Sequence, residues 1–592
     1  ALGVLAGVGY ALVRRLVQRP ARITLSRDAL TILELIAAIV ISEILFEAFR
    51  LARYADPDGP FAFVAWVVSR AFTGFPAGAR EVLFGAFWWL NVLLVCAFLV
   101  YLPRSKHLHI ALAFPNTALA KLRPRGELPA MDLEAEGARF GTKTIEDLAW
   151  KDVLDAFTCT ECGRCQDACP AWATGKPLNP KTLIMGLREM AVEAEAGVPL
   201  IPWIRPQTAA ADRSTPDRLG LDRFALDRPI VDTAIPYDAV WDCVTCGACV
   251  EACPVLIEHV DKIVGLRRNL VLEESRFPAE LTASFTNLER YGNIWGQSQA
   301  GRLDWARDLP FRVRTAAEVV AEGGSDAVAE LDCLYWVGCA ASFDDRNRRV
   351  ARAFATCLDA AGVSFAVLGQ EESCTGDPAR RMGNDYVYQL LAAANVETLD
   401  RYRPRTIVTA CPHCFNALGT EYVQLGGHYE VVHHATYLAR LVGEGRLRPA
   451  SPGDAGGPGA LTYHDPCYLT RYHGIVDEPR AALAAVPGLE LREMERNGRS
   501  SFCCGAGGGR MWMEETRGTR INTERTRQAL ATGAERVATA CPFCLVMMRD
   551  GVAGAGAAER VGVEDLAEVL AATLSGDRFG GSERQLPVVE RA

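Results

Sequence analysis

Iron–sulfur chemistry is suggested by two runs of cysteine, CTECGRCQDACP over 159–170 and CVTCGACVEACP over 243–254. Each has the spacing C-x2-C-x2-C-x3-C-P. Three thiolates at two-residue gaps can wrap one corner of a [4Fe–4S] cube, and the fourth cysteine of such a run belongs to the cube of the other run. By that rule Cys159, Cys162, Cys165 and Cys253 bind one cubane cluster, and Cys243, Cys246, Cys249 and Cys169 bind the second. Zinc would need only four ligands and would leave both C-x3-C-P tails without purpose. The 73 residues between Cys169 and Cys243 include the polar stretch ADRSTPDRLGLDRFALDRP, which reads as a surface excursion.

A second cysteine pattern fills the C-terminal half and occurs twice. TIVTACPHC, ending at Cys414, matches RVATACPFC, ending at Cys544. Cys339 and Cys467, Cys374 and Cys503, and Cys411 and Cys541 are offset by 128, 129 and 130 residues, which marks two copies of one domain. PASPGDAGGPGA, 449–460, is the linker between them. Each C-P-x-C follows a short apolar run of β character and precedes a helical pattern, so both copies read as α/β units. Their cysteines then fall at strand ends, where such folds place their sites. Copy two assembles Cys467, Cys503, Cys504, Cys541 and Cys544, five thiols where a cubane needs four. Adjacent Cys503 and Cys504 cannot both bind one small ion in relaxed geometry, but they can bind two irons of an opened cluster. Copy one reads Cys374-Thr375-Gly376 at this point, leaving Cys339, Cys374, Cys411 and Cys414.

Cys467, the Cys503-Cys504-Gly505 element and Cys541-x2-Cys544 together resemble the CCG domain of heterodisulfide reductases and related iron–sulfur oxidoreductases. The resemblance implies that these five cysteines hold a non-cubane [4Fe–4S] cluster. Copy one departs from the pattern. Either its four cysteines hold a further ordinary [4Fe–4S] cluster, aided by Cys333, or the copy is structural or serves a partner. The long gap between the first two runs is similar to the helical two-cluster module of respiratory reductases rather than to a free ferredoxin. Nearly the whole chain resembles the electron-transfer flavoprotein:menaquinone oxidoreductases, which fuse a cytochrome b-like anchor, similar to the nitrate reductase gamma subunit, to this reductase body. The resemblance implies electron transfer from a soluble electron-transfer flavoprotein to menaquinone. The alternatives are a heterodisulfide or thiol–disulfide reductase coupled to membrane quinol, and a relay subunit among other respiratory subunits. It also implies a haem b ligand within PRSKHLHIALAFP at His109, with His107 as runner-up. No histidine precedes His107, and Asn91 stands where the family anchor can carry a second ligand. The partner histidine therefore lies in absent N-terminal sequence, or the haem has been lost, or both histidines are interfacial.

These thiols need a scaffold, and the N-terminal part is set up as a membrane anchor. Residues 29–49 and 82–102 are each long and apolar enough to cross a bilayer as a helix. Residues 1–13 read as the tail of a helix whose start is absent, and 61–75, carrying Arg70, as a re-entrant or interfacial segment. Arginines at 14, 15, 19, 22 and 27, and the basic residues Arg104, Lys106, Lys121, Arg123 and Arg125, flank the two long runs. The positive-inside rule puts both basic loops in the cytoplasm. The expectation is a multi-pass protein of the cytoplasmic membrane, with the cysteine-rich part in the reducing cytosol. Glu43 is the candidate proton or quinone residue, since carboxylates within a span are costly and commonly functional. Glu47 shares its helical face and can also be interfacial, and Glu34 can face another helix.

A chain of 592 residues exceeds one core. The expected fold is multidomain: a transmembrane anchor over 1–126, a helical two-cluster ferredoxin-like module over 127–300, a degenerate CCG-type repeat over 301–448 and a complete one over 449–592. A net charge of -9 argues against nucleic acid as a partner. AGGGR at 506–510 lacks the Lys and Ser/Thr of a phosphate loop, so its glycines are expected to let backbone approach the cluster. No dinucleotide fingerprint is visible, which assigns flavin or nicotinamide to a partner. His413, inside C-P-H-C, can tune a cluster by hydrogen bonding, whereas His433 and His434 are surface or packing residues.

Overall fold

The computed structural model describes residues 1–53, 62–137, 139–195, 228–450 and 459–574. Most of the polar excursion and most of the 449–460 linker lie outside the described residues. The N-terminal part is helical: α1 (Leu2–Val13), α2 (Arg27–Arg53), α3 (Phe63–Ser69), α4 (Ala77–Tyr101) and α5 (Leu108–Ala118). Of these, α2 and α4 are long and apolar enough to cross a membrane. They pack on each other, and polar crosslinks fix their register, Tyr101 to Asp28 and Arg53 to Glu81 towards the ends and Asn91 between them. Asn91 Nδ2 donates to Ile39 O at 2.9 Å and to Ser42 Oγ at 3.0 Å. Such a bond between apolar helices contributes about 1 kcal/mol. Short α3 lies against α2, and the turn after it stacks Phe72 on Phe49 with ring centroids 4.3 Å apart.

Helix α5 leads from the bundle into an all-helical module, where buried Asn116 donates to Val255 O at 2.8 Å. That module contains α6 (Trp150–Thr158), α7 (Pro180–Glu195), α8 (His259–Leu272) and α9 (Leu281–Tyr291). Its core includes Ile184, Leu187, Val240, Trp241, Ile263 and Leu266, each worth about 1.5–3 kcal/mol when taken from water. A buried network of Lys151, Asp155 and Lys262 ties α6 to α8, with Lys262 Nζ 2.7 Å from Asp155 Oδ2.

Two parallel four-stranded sheets follow. Strands β1 (Cys333–Trp336), β2 (Phe365–Ala366), β3 (Ile407–Thr409) and β4 (Val431–His433) run in the order β2-β1-β3-β4. Strands β5 (Ala460–His464), β6 (Glu490–Leu491), β7 (Arg536–Thr539) and β8 (Gly562–Asp565) repeat it as β6-β5-β7-β8. The central strands are apolar on both faces because helices cover both sides of a parallel sheet. In repeat 1 these are α10 (Asp345–Ala360), α11 (Asp385–Tyr402) and α12 (His434–Gly443). In repeat 2 they are α13 (Asp477–Ala484), α14 (Ile521–Leu530), α15 (Pro542–Gly554) and α16 (Leu566–Ala571). The repeats pack reciprocally, α10 on α16 and α12 on α13, through one shared core that includes Phe354, Leu358, Leu438, Leu483 and Leu566. His433 and His434 are fully buried in this joint, and His434 Nε2 lies 2.9 Å from Asp565 Oδ1. Of the two roles expected for them, packing is the one they fill.

Candidate iron–sulfur site

The two ferredoxin-type loops share one backbone solution. Glu161 and Gly163 have φ of 54° and 75°, and their counterparts Thr245 and Gly247 have 46° and 69°. Two left-handed residues in so short a loop turn successive thiols inward, at a conformational cost that only surrounding structure can hold. Pro170 opens a helix at its first turn, directly after Cys169, a position where proline's missing N–H costs nothing. The structure brings Cys159, Cys162, Cys165 and Cys253 together as mutual neighbours, and likewise Cys243, Cys246, Cys249 and Cys169.

The equivalent glycines of the two loops meet different neighbours. A Cβ on Gly163 would lie 2.4 Å from Arg22 O, in the segment between α1 and α2. Lys181 Nζ donates to the same carbonyl at 2.9 Å, and Arg22 pairs with Asp167 at 3.4 Å. On Gly247 a Cβ would lie 3.0 Å from the Tyr472 ring of repeat 2, whose hydroxyl donates to Thr245 O at 2.5 Å. The first thiol set thus abuts the anchor and the second abuts repeat 2. Gly507 and Gly508 add to the second contact, since a Cβ on either would come within 2.3 Å of Val244 O or Cys243 O. The glycine run therefore admits backbone to the 243–245 loop.

In repeat 2, Cys467, Cys503, Cys504, Cys541 and Cys544 converge at the ends of β5 and β7 and on the intervening 503–505 loop. Cys504 and Cys544 Sγ are 3.3 Å apart. Cys503 also lies against Cys246, so this set meets the second ferredoxin-type set directly. The Cys246 thiol is pulled down to about 6, first by its Cys503 neighbour and further by the Arg471 guanidinium, against its burial. Arg471 bridges the two parts, donating Nε to Cys246 O and Nη1 to Ser501 O, both at 2.7 Å. Fully buried Arg267 does the same on the other side, reaching Cys243 O at 2.7 Å and Gly508 O at 2.9 Å. Nothing in the local sequence singles out these arginines, because their partners lie far away in the chain.

Repeat 1 gathers Cys339, Cys374, Cys411 and Cys414. Thr375, in place of a fifth thiol, donates Oγ1 to Cys414 Sγ at 3.8 Å. Buried Arg302 donates Nη2 to Cys339 Sγ at 3.2 Å and pairs with Glu372 at 2.5 Å. Cys333 does not join this group: it starts β1, at the far end from Cys339, and interacts with Tyr437. His413 Nδ1 is 2.9 Å from Asp377 Oδ2, and its ring lies 4.0 Å from that of Tyr468, between the two repeats.

None of these cysteines is in a disulfide. Burial pushes Cys243 up to about 11 and Cys159 to about 12. Thiols crowded this deeply can all ionise only beside strong positive charge, which iron supplies. An all-sulfur donor set fits iron–sulfur clusters.

The anchor residues are arranged less completely. His109 Nδ1 bonds to Lys106 O at 2.5 Å, leaving Nε2 as its ligand atom. His107 sits beside it, with ring centroids 5.6 Å apart. Two rings from one turn cannot take opposite faces of a porphyrin, so together they supply at most one axial ligand. Asn91 is engaged in the α2–α4 crosslink. Glu43 is exposed on the described bundle, and Glu47 pairs with Arg50 at 2.6 Å.

Residues 158–257 match the 4Fe-4S dicluster domain, and residues 333–419 and 461–549 each match the cysteine-rich domain CCG. Such a pair of modules around buried thiol sets defines an iron–sulfur oxidoreductase. The chain is 36% identical to the probable iron-sulfur-binding oxidoreductase FadF of Bacillus subtilis, covering 98% of this chain and 83% of that protein. Its identity to the EtfAB:quinone oxidoreductase of Syntrophomonas wolfei is 38%, over 96% of this chain and 81% of the relative. With one subunit of the dihydromethanophenazine:CoB--CoM heterodisulfide reductase of Methanosarcina barkeri it is 30% identical, over 72% of this chain and 96% of the relative. The chain belongs to this family of CCG-domain iron–sulfur oxidoreductases, which joins the EtfAB:quinone oxidoreductases to the heterodisulfide reductases.

Proposed function

We propose that the chain passes electrons from a soluble electron-transfer flavoprotein to menaquinone at the cytoplasmic membrane. In this reading α2 and α4 cross the bilayer, the cysteine-rich part faces the cytoplasm, and the domain limits are those given by the sequence. Cys159, Cys162, Cys165 and Cys253 would hold one cubane cluster, and Cys243, Cys246, Cys249 and Cys169 the other. The five thiols of repeat 2 would hold a non-cubane cluster, and the four of repeat 1 a further [4Fe–4S] cluster. Bound clusters supply one-electron storage and exchange, while the protein sets their spacing and surroundings.

The observation that carries this reading is the row of contacts from Arg22 at the anchor, through Gly163 and the first thiol set, across Cys165 packed beside Cys249, to Cys246 and Cys503. Such a row suits charge movement between a membrane and a soluble partner. Arg471 and Arg267 hold its second joint closed. Reduction of a disulfide at repeat 2 has support from the heterodisulfide reductase relative. Burial weighs against it: each of the five thiols is less than a tenth exposed, which leaves a disulfide no approach. On the membrane side, Glu43 is the proposed proton group for the quinone and His109 the proposed single haem ligand.

The test is to mix the anaerobically purified protein with reduced electron-transfer flavoprotein and a menaquinone analogue, and to follow flavin reoxidation. Turnover is expected. No turnover in protein with its full iron and sulfide content would rule the reading out.

A further inference from the structure

His464, the last residue of β5, lies three residues before Cys467 and is buried. Its carbonyl accepts from Thr539 Oγ1 at 3.2 Å, which fixes the strand end. Arg525, in α14 and also fully buried, donates Nε to His464 Nδ1 at 2.9 Å. The rest of that guanidinium is held by Arg496 O at 2.8 Å, Gln528 Oε1 at 3.0 Å and Ser501 Oγ at 3.2 Å. A guanidinium offers only donors. Nδ1 must therefore present its lone pair, and the ring hydrogen of the neutral imidazole rests on Nε2. The ring faces Cys504, and the ligand atoms of His464, Cys504 and Cys544 all lie within 4.8 Å of one another. A thiolate bound to iron carries no proton, so in this contact only the histidine can donate.

Repeat 1 supplies an internal control. The 128-residue offset puts Trp336, the last residue of β1, at the place of His464. Its indole nitrogen is buried without a partner among the described residues. In α11, Asn395 donates instead to Cys374 O at 3.0 Å and Tyr422 Oη at 3.1 Å. Thr375 stands where repeat 2 has Cys504. The fifth thiol, its donor and the lock on the donor's tautomer occur together in repeat 2 and are missing together from repeat 1.

We propose that His464, locked by Arg525 as the Nε2–H tautomer, is a positioning residue that donates an N–H···S bond to Cys504 and so raises the reduction potential of the repeat 2 cluster. Such a bond draws charge from the thiolate and favours the more negative, reduced state. The inference rests on the reading of repeat 2 as a cluster site. That reading fails separately if Cys503→Ser leaves the iron content and EPR spectrum of the full-length protein unchanged.

The experiment is an EPR-monitored redox titration of the anaerobically purified full-length holoprotein. His464→Phe should make the repeat 2 centre about tenfold harder to reduce, about 59 mV for one electron. Iron content and the two ferredoxin-type midpoints should stay unchanged. Arg525→Met should shift the same midpoint in the same direction by freeing the tautomer. In Arg525→Gln an amide N–H still reaches for Nδ1, and the parental value should be kept. A parental midpoint in H464F with full iron, or equal shifts in R525M and R525Q, would overturn the proposal. Should the variants lose iron, electron–nuclear double resonance on unmodified protein labelled with 15N-histidine decides the matter. A weak coupling of a hydrogen-bonded nitrogen supports the proposal, and a strong ligand coupling or none at all refutes it.

Discussion

Repeat 1 and repeat 2 have the same strand order, place their thiols at the same strand ends and pack on each other reciprocally, yet among the described residues only repeat 2 meets a ferredoxin-type thiol set sulfur to sulfur. Cys503 meets Cys246 directly, whereas the repeat 1 thiols find Arg302, Thr375, the Gly292 carbonyl of the helical module and one another. Duplication supplied two equivalent cradles. Position relative to the helical module, together with one residue, Thr375 against Cys504, separates their uses. Repeat 2 is built into the row and repeat 1 stands beside it.

The largest effect should come from matched ligand removals. Cys467→Ala is expected to cost about four iron atoms per chain and to lower flavoprotein-to-quinone turnover by more than about 100-fold. Cys339→Ala is expected to lose similar iron but less than about tenfold in rate. Equal loss of turnover in the two variants would break the comparison. Next is Arg302→Met, which leaves Glu372 buried without its cation and should cost about 3–5 kcal/mol in an unfolding measurement. Burial already holds the Glu372 carboxyl above its ordinary range, with Arg302 opposing. A carboxyl raised on folding contributes stability at low pH that is lost as pH climbs through its folded value. The R302M defect should therefore be smaller near about pH 5 than near about pH 8. A pH-independent defect would remove Glu372 from the account.

Thr375→Cys sharpens the comparison from the other side. A fifth thiol in repeat 1 should move the EPR signal of that site toward the repeat 2 form while turnover changes little, because the site lies off the row. An unchanged spectrum at full iron content would show that the missing thiol is not what distinguishes the repeats. The smallest effect is expected at the membrane. Glu43→Gln should slow quinone reduction by no more than about tenfold, since it leaves every thiol set intact and removes only one proton donor; flavin reoxidation at saturating quinone measures it.

Much of this was legible in the sequence because cysteine spacing is a local signal. The C-x2-C-x2-C-x3-C-P runs, the 128–130 residue offsets and the two apolar helices each sit within a short stretch or repeat at fixed distance. Cys333 misled for the same reason. It is near Cys339 in sequence, but a strand runs between them and carries it to the opposite end of the sheet. What could not be read was the meeting of distant segments. Arg267 reaches Cys243 and Gly508, Arg471 reaches Cys246, and Gly163 meets Arg22. These contacts join residues 24 to 241 positions apart, and no periodicity along the chain announces them. The histidine pair beyond α4 shows the limit from another side: the family resemblance implied one haem ligand there, and two rings from one turn offer at most that one.

The pair of crowded glycines also bears on how the molecule is made. With Gly163 pressed under the Arg22 backbone and Gly247 under the Tyr472 ring, each cysteine loop is capped by a part of the chain remote from it in sequence. Cys169, Cys243, Cys246 and Cys249 are all buried beneath their cap, whereas Cys162, Cys165 and Cys253 of the first set keep part of their surface. The second set must therefore be loaded before its cap closes over it, and a finished molecule that loses those contents must come partly apart before they can be replaced, while the first set stays within reach.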